Sequence, residues 1–253
     1  MEEKLIAFKR LLDIMDTLRS ECPWDRKQTM GSLRNLTIEE CYELADAISS
    51  SDMNGIKEEL GDLMLHIVFY AKIASESGEF EIKDVLNGLC DKLIKRHPHI
   101  YGNTKVKDDG EVKRNWEQIK MSEGKKSILS GVPNSLPAMI KAYRMQEKTA
   151  QVGFEWDNRE QVWNKVVEEI HELELAIQSQ KKIDIEGEFG DVLFSLINYA
   201  RFIGIDPETA LDRVNRKFKN RFEYIESKAV KPLSEMTLAE MDALWEEAKK
   251  ERR

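Results

Sequence analysis

Lys165–Asn198 reads KVVEEIHELELAIQSQKKIDIEGEFGDVLFSLIN. Two helical segments flank a short polar turn, QSQKKID; the first carries Glu168, Glu169 and Glu172, the second Glu188 and Asp191. Residues three apart share a helical face, so Glu169 pairs with Glu172 and Glu188 with Asp191. Packed antiparallel, the two helices bring four carboxylates to one place. Such a group, partly buried, demands a cation. All-oxygen ligation suits a hard ion, Mg²⁺ with Mn²⁺ as a possible substitute.

The chain carries this arrangement twice. Glu39-Glu40-Cys41-Tyr42-Glu43-Leu44 matches Glu168-Glu169-Ile170-His171-Glu172-Leu173, and Glu59-Leu60-Gly61-Asp62 matches Glu188-Phe189-Gly190-Asp191. The offset is 129 from Glu40 to Glu169 and again from Asp62 to Asp191, so the register runs on without a gap. Lys92 and Arg96 answer Lys217 and Arg221 at an offset of 125, and Trp116 answers Trp245 at 129. Two long copies mean a duplicated domain, not a solenoid. The expected layout is a first domain over 1–122, a Gly-, Ser- and Pro-interrupted linker over 123–136, and a second domain over 137–253.

No segment alternates with period two, so the expected fold is all-α: two tandem helical bundles. The apolar spacing predicts helices near 3–20, 56–77, 81–96, 136–152, 159–179, 184–203, 207–227 and 237–251, one around Trp116, and one opening at Thr37. From Leu63 to Ala74 the pattern is apolar nearly all round, which predicts burial. Gly61 and Gly190 sit inside helical patterns, where glycine costs about 1 kcal/mol relative to alanine. Their recurrence beside an acid predicts close approach by another backbone or a ligand.

A chain of 253 residues with a formal net charge of −8 offers no basic footprint for nonspecific nucleic-acid binding. A small anionic substrate held by local cations is not excluded. There is no apolar run of membrane-spanning length and no signal-peptide pattern. Cys22, Cys41 and Cys90 are scattered and odd in number, which suits a reducing cytosol without disulfides.

Simpler readings compete. Thr37 and Glu40 fit the capping box S/T-x-x-E, which gives Glu40 a structural role; Glu169 escapes this, because Asn158 and Gln161 supply the expected cap of its helix. Cations in late helical turns offset the helix dipole, although recurrence at a fixed distance from the acids favours phosphate contact. Trp24 and Trp156, each followed by Asp, look like packing anchors. Glu168-x-x-His171 has di-iron spacing, but no second E-x-x-H follows. The second half is the better equipped: Lys165 lies one turn before Glu169 where the first half has Leu36, and the seam Asp191, Ser195, Asn198 stands opposite Asp62, His66, Phe69.

EExxE followed by ExxD, together with CPWD, ELGD, KLIKRHPHIYG, NWEQIK, VGFEWD and KFKNRF, resembles the MazG-like nucleoside triphosphate pyrophosphohydrolases in their two-copy bacterial form. The resemblance spans essentially the whole chain. It implies Mg²⁺-dependent cleavage of a nucleoside triphosphate between the α- and β-phosphates, a homodimer, and hydrolysis in the second domain. By position, the metal ligands would be Glu169, Glu172, Glu188 and Asp191, with Glu40, Glu43, Glu59 and Asp62 as first-half equivalents. Nucleotide contacts would come from Lys165, Val166, Val167, Glu168 and Glu169, from Asp184, Ile185, Glu186 and Gly187 in the loop before Glu188, and from Asp191. Lys217, Phe218, Lys219, Asn220, Arg221 and Trp245 complete them. The catalytic candidates are Glu172, Lys217, Arg221 and Glu168, the last to orient or deprotonate water. A nucleotide-responsive regulator or partner-binding bundle is the alternative from another class.

Overall fold

The structure, a computed structural model, describes residues 1–122 and 127–251, apart from the side chains of 109, 113, 114, 117, 118, 121 and 122. The described residues are helical, with no strand among them, so the expected all-α class holds. The chain divides into two compact units, Met1–Lys107 and Asp108–Arg253. Part of the linker expected from the repeat, 123–126, lies outside the described residues. Among the described residues no helix is long and apolar enough to cross a membrane.

In the first unit α1 (Glu2–Glu21), α2 (Met30–Ser50), α3 (Met53–Glu76), α4 (Ile82–Arg96) and the short α5 (Pro98–Tyr101) follow one another. Met15 of α1, Leu33 of α2, and Val68 and Phe69 of α3 form its buried core, with Phe8, Leu11, Leu12 and Leu36 packed around them. In the second unit come α6 (Asp109–Ser122), α7 (Ala138–Ala150), α8 (Arg159–Ser179), α9 (Lys182–Phe202), α10 (Pro207–Lys228) and α11 (Leu238–Glu251). Val162 and Val166 of α8 and Val192 and Ile197 of α9 are buried there. α6, which holds Trp116, groups with this unit.

Caps explain most of the boundaries. The Asn158 side chain accepts the Gln161 N–H at 3.0 Å and starts α8, as its sequence predicts. Asp206 accepts the Thr209 N–H at 2.7 Å ahead of Pro207, and Thr237 with Glu240 closes a capping box on α11. One start differs from expectation. α2 begins at Met30, because Thr29 and Ser32 exchange side-chain and backbone bonds of 3.1 and 2.8 Å in a box of their own. Thr37 therefore lies inside α2, where its hydroxyl donates to the Leu33 carbonyl at 2.9 Å. The capping role considered for Glu40 is overturned, and Glu40 is mid-helix like Glu169.

Each unit contains the same tight hairpin. α2 turns into α3 through Ser51, and α8 into α9 through Gln180; both residues adopt φ +58° and they stand 129 apart. A left-handed non-glycine residue costs roughly 1–2 kcal/mol, so packing of the hairpin must hold it there. The repeat is thus structural as well as chemical.

The all-round burial expected of α3 fails, as does the approach of the chain's own backbone to Gly61 or Gly190, which leaves the ligand alternative for these glycines open. α3 is buried on one face only, through His66, Val68, Phe69, Ala71 and Ala74. Leu60, Met64 and Ile67, and their counterparts Phe189, Leu193 and Leu196 on α9, are 40–55% exposed. A Cβ built on Gly61 or Gly190 would meet nothing within 4 Å, so the chain's own backbone makes no close approach at either place.

Valine at position 180, with two branches on Cβ, tolerates positive φ worst of all. We expect Gln180→Val to lower unfolding free energy by about 1–2 kcal/mol and Gln180→Gly not to lower it, as read by denaturant unfolding. Equal stability of the valine variant and the wild type would show that the hairpin turn is not held in this conformation.

Candidate active site

α8 places Glu169 and Glu172 one turn apart on the face that packs on α9, and α9 returns Glu188 to them. The three offer carboxylate oxygens within 4.8 Å of one another, Glu169 buried, Glu188 half-buried and Glu172 exposed. Asp191 is outside this trio; it is exposed and lines the adjoining cavity with Glu169. Lys165 reaches both neighbours on its helix, with Nζ 2.7 Å from Glu168 and 2.9 Å from Glu169. Those bonds, Glu168's first, hold the Lys165 ammonium above its usual range. Partial desolvation raises the Glu172 carboxyl, Glu169 and Glu188 push the same way, and Lys165 opposes them.

The first unit repeats the trio with Glu40, Glu43 and Glu59, also within 4.8 Å. Here no lysine stands in front. Burial raises Glu40 and Glu59, followed by Asp62 for the former and Glu43 for the latter, and the two share a hydrogen bond. Behind them lies a compact polar network. Thr37 Oγ1 meets His66 Nδ1 at 3.0 Å and the Tyr70 hydroxyl at 2.7 Å, and His66 Nε2 stands 3.9 Å from Glu40. Burial lowers the His66 pKa, with Asp62 acting against it.

The halves differ most behind the trios. In the second unit a cavity of about 260 Å³ opens beside Lys165, Glu169 and Asp191, and Gln146, Phe154, Trp156, Phe194 and Asn198 contribute to its wall. In the first unit Phe69, at the position of Asn198, is packed into the core with Met15 and Leu33. The packing-anchor role expected for the tryptophans fails. Trp24 is more than half exposed, and Trp156 forms cavity wall instead of core.

Several expected nucleotide contacts sit elsewhere. Lys217, Asn220 and Arg221 line a separate cavity of about 580 Å³ with Tyr224 and Lys249, sharing no residue with the carboxylate cavity. Trp245 packs there, 5.3 Å from the Arg221 guanidinium and 5.2 Å from the Phe218 ring. Lys219 is exposed and pairs with Glu223 at 3.8 Å. Asp184, Ile185, Glu186 and Gly187 belong to the opening turns of α9, not to a loop. Val166 is fully buried in the core, whereas Val167 is exposed. His171 is exposed with Glu174 3.6 Å away, outside the trio, so the iron-type pairing with Glu168 is not assembled.

Gln146, Glu155 and Arg201 were not singled out from sequence. A detectable signal existed for Arg201, which matches Lys72 at the repeat offset, and for Glu155 within VGFEWD.

Two all-α hairpins each gather three carboxylates on facing helices, an oxygen-only donor set of the kind a hard cation takes. The chain belongs to the MazG nucleotide pyrophosphohydrolase domain family, whose model matches residues 28–101 and 158–225, one stretch in each half. It is 45% identical over 257 residues to the nucleoside triphosphate pyrophosphohydrolase/pyrophosphatase MazG of Thermotoga maritima, covering 98% of both chains. It is 40% identical over 256 residues to the nucleoside triphosphate pyrophosphohydrolase of Escherichia coli, covering 96% of this chain and 97% of that one.

The raised Glu172 carboxyl has a consequence for stability. The folded cluster binds its proton more tightly than the unfolded chain, so it favours folding while protonated, and that advantage is lost as pH rises through the raised folded pKa. We expect Glu172→Gln to raise the Tm of the metal-free protein at neutral pH, by an amount that shrinks as pH falls through the carboxylate range. The same variant should lose most of the Tm gain that Mg²⁺ gives the wild type. A Tm gain from Mg²⁺ equal to that of the wild type would exclude Glu172 from the cation site.

Proposed function

We propose that this chain is a nucleoside triphosphate pyrophosphohydrolase that cleaves NTPs or dNTPs between the α- and β-phosphates, releasing NMP and pyrophosphate, with catalysis seated in the second half. One observation carries this: the Glu169, Glu172, Glu188 trio adjoins, through Glu169, a cavity lined by Lys165, Asp191 and Asn198, while in the first half Phe69, at the position of Asn198, is buried in the core with Met15 and Leu33. Family membership and the names of the two relatives support the reaction class.

The donor set fits Mg²⁺, with Mn²⁺ as substitute: three carboxylates crowd together, and nothing but oxygen is offered. Glu169, Glu172 and Glu188 would hold the ion, with Asp191 beside them. When bound, Mg²⁺ offsets the negative charge of carboxylates and phosphates and activates water for attack. Lys165 keeps Glu168 and Glu169 in place and adds positive charge at the phosphate end of the cavity. Glu168, exposed and next to the trio, orients or deprotonates the attacking water. Lys217 and Arg221 line the separate cavity, so they would offset charge on the departing pyrophosphate only where the phosphates extend beyond the carboxylate cavity.

The chain assembles as a homodimer in this proposal. The exposed stripe Leu60, Met64, Ile67 recurs as Phe189, Leu193, Leu196, and a second copy of the chain is the occupant that offers a matching apolar face. A net charge of −8 disfavours nucleic acid as a partner. The free cysteines suit a reducing cytosol.

Product analysis with a panel of NTPs and Mg²⁺ tests the reaction. NMP and pyrophosphate are expected from the wild type and from Glu43→Gln, with a loss of about a hundredfold or more for Glu172→Gln. NDP and phosphate would refute α–β cleavage, and loss through Glu43→Gln alone would move the site to the first half. Nucleotide binding without turnover would favour the regulator. Arg221→Ala should raise KM, and an unchanged kcat/KM would remove the α10 cations from the site. Light scattering should report a dimer for the wild type, shifted toward monomer by Leu193→Lys with Leu196→Lys.

A further inference from the structure

We propose that the cavity walled by Gln146, Asn198 and the Trp156 loop is the nucleobase-reading subsite of the second half, and that the Glu155–Arg201 ion pair fixes its hydrogen-bonding polarity. This rests on the nucleotide reaction proposed above and extends it to specificity. Lys165, Glu169 and Asp191 belong both to the trio's surroundings and to the cavity, so a ligand whose phosphates lie at the carboxylates continues into it. Beyond them the wall turns apolar and aromatic, with Val162, Phe154, Trp156 and Phe194. Apolar walls with a few oriented polar groups are the usual make-up of a small-molecule site, and an aromatic wall suits a flat heterocycle.

The polar groups are held in one sense each. Asn198 Oδ1 accepts from Arg201 Nε at 3.2 Å and from Nη2 at 2.9 Å. A guanidinium has donors only, so the amide must turn its oxygen to Arg201, which leaves Nδ2 as a spare donor. Arg201 is itself anchored, with Nη2 2.6 Å from Glu155 Oε2, while Glu155 Oε1 accepts the Trp156 N–H at 3.0 Å. Gln146 is held in the opposite sense. Its Nε2 donates to the Phe194 carbonyl at 2.9 Å, and a carbonyl can only accept. Its Oε1 is buried with no hydrogen-bond partner among the described residues, and the residue is only 6% exposed. An unmet buried acceptor costs about 1–3 kcal/mol. Asn198 thus offers one fixed donor at the cavity, and Gln146 holds one fixed, unmet acceptor within the wall, together the complement of a base edge that presents an acceptor and a donor.

The first half serves as an internal comparison. Its carboxylate trio is intact, but Phe69 replaces Asn198, and Lys72, matching Arg201, pairs with Asp16 at 2.7 Å on α1. The cation trio was kept in both copies and the reading groups are present in one. The two functions are separable in this chain.

Asn198→Asp keeps the shape and the Arg201 partner and converts the spare donor into an acceptor. Gln146→Leu removes the unmet acceptor. Calorimetry with NMPs and with pyrophosphate, each with Mg²⁺, separates base from phosphate binding. Both variants should weaken the NMPs by about tenfold or more and leave pyrophosphate affinity unchanged. Glu155→Ala releases Arg201, so the Asn198 amide can turn either way, and the spread of kcat/KM among bases should narrow several-fold. Parallel weakening of NMP and pyrophosphate would overturn the assignment, as would unchanged NMP affinity in both variants. If the wild type gave no NMP and pyrophosphate, the reaction proposed above would fall, whereas the NMP calorimetry would still decide the subsite. If Asn198→Asp failed to fold, Gln146→Leu and Glu155→Ala carry the same test.

Discussion

Like charges on facing helices are the constraint on which the rest depends. A two-residue turn through a left-handed Gln180 folds α9 back on α8, and the helical period then forces Glu169, Glu172 and Glu188 together. Among the described residues of the second unit nothing neutralises all three: Lys165 is engaged by Glu168 and Glu169 and only opposes the rise at Glu172 from a distance. The hairpin is therefore held by packing of Val162, Val166, Val192 and Ile197 against an electrostatic cost that a divalent cation would relieve. That cost falls on the residues proposed to hold the ion.

Duplication lets one half be compared with the other. Both retain the left-handed turn and the trio, yet they use the space behind it differently. In the first half Phe69, Met15 and Leu33 close it, and Thr37, His66 and Tyr70 satisfy one another beside Glu40. Burial of Phe69 with Met15 and Leu33 stabilises that unit and puts an apolar ring where the second half has the Asn198 amide. In the second half Asn198 and Arg201 keep polar atoms where a core would stand, held in place by Glu155. One scaffold thus carries an apolar core at this place in one half and a polar cavity wall in the other.

The all-α class, the duplication, most helix limits and the clustering of three of the four expected acids in each half were legible in the sequence, because each follows from helical period and from caps such as Asn158 and Thr237. Thr37 was misread as a helix start because a box built from Thr29 and Ser32 outcompetes it, and local pattern does not rank rival caps. The one-sided burial of α3 was invisible because an exposed apolar stripe and a buried one have the same composition. Gln146 and Arg201 escaped notice since their roles depend on Phe194 and Glu155, which the fold brings to them from other elements. The separate cavity of Lys217 and Arg221 is a matter of tertiary packing, which repeat spacing does not encode.

The central claim is that the α8–α9 trio holds the divalent cation that nucleotide binding uses. Mn²⁺ titration followed by electron paramagnetic resonance, with a nucleotide monophosphate present, measures this directly. Wild type is compared with a variant carrying Glu169→Gln and Glu188→Gln. The account predicts that nucleotide-enhanced Mn²⁺ binding disappears in the variant, leaving only any binding by the first-half trio. Undiminished, nucleotide-enhanced binding in that variant would contradict it.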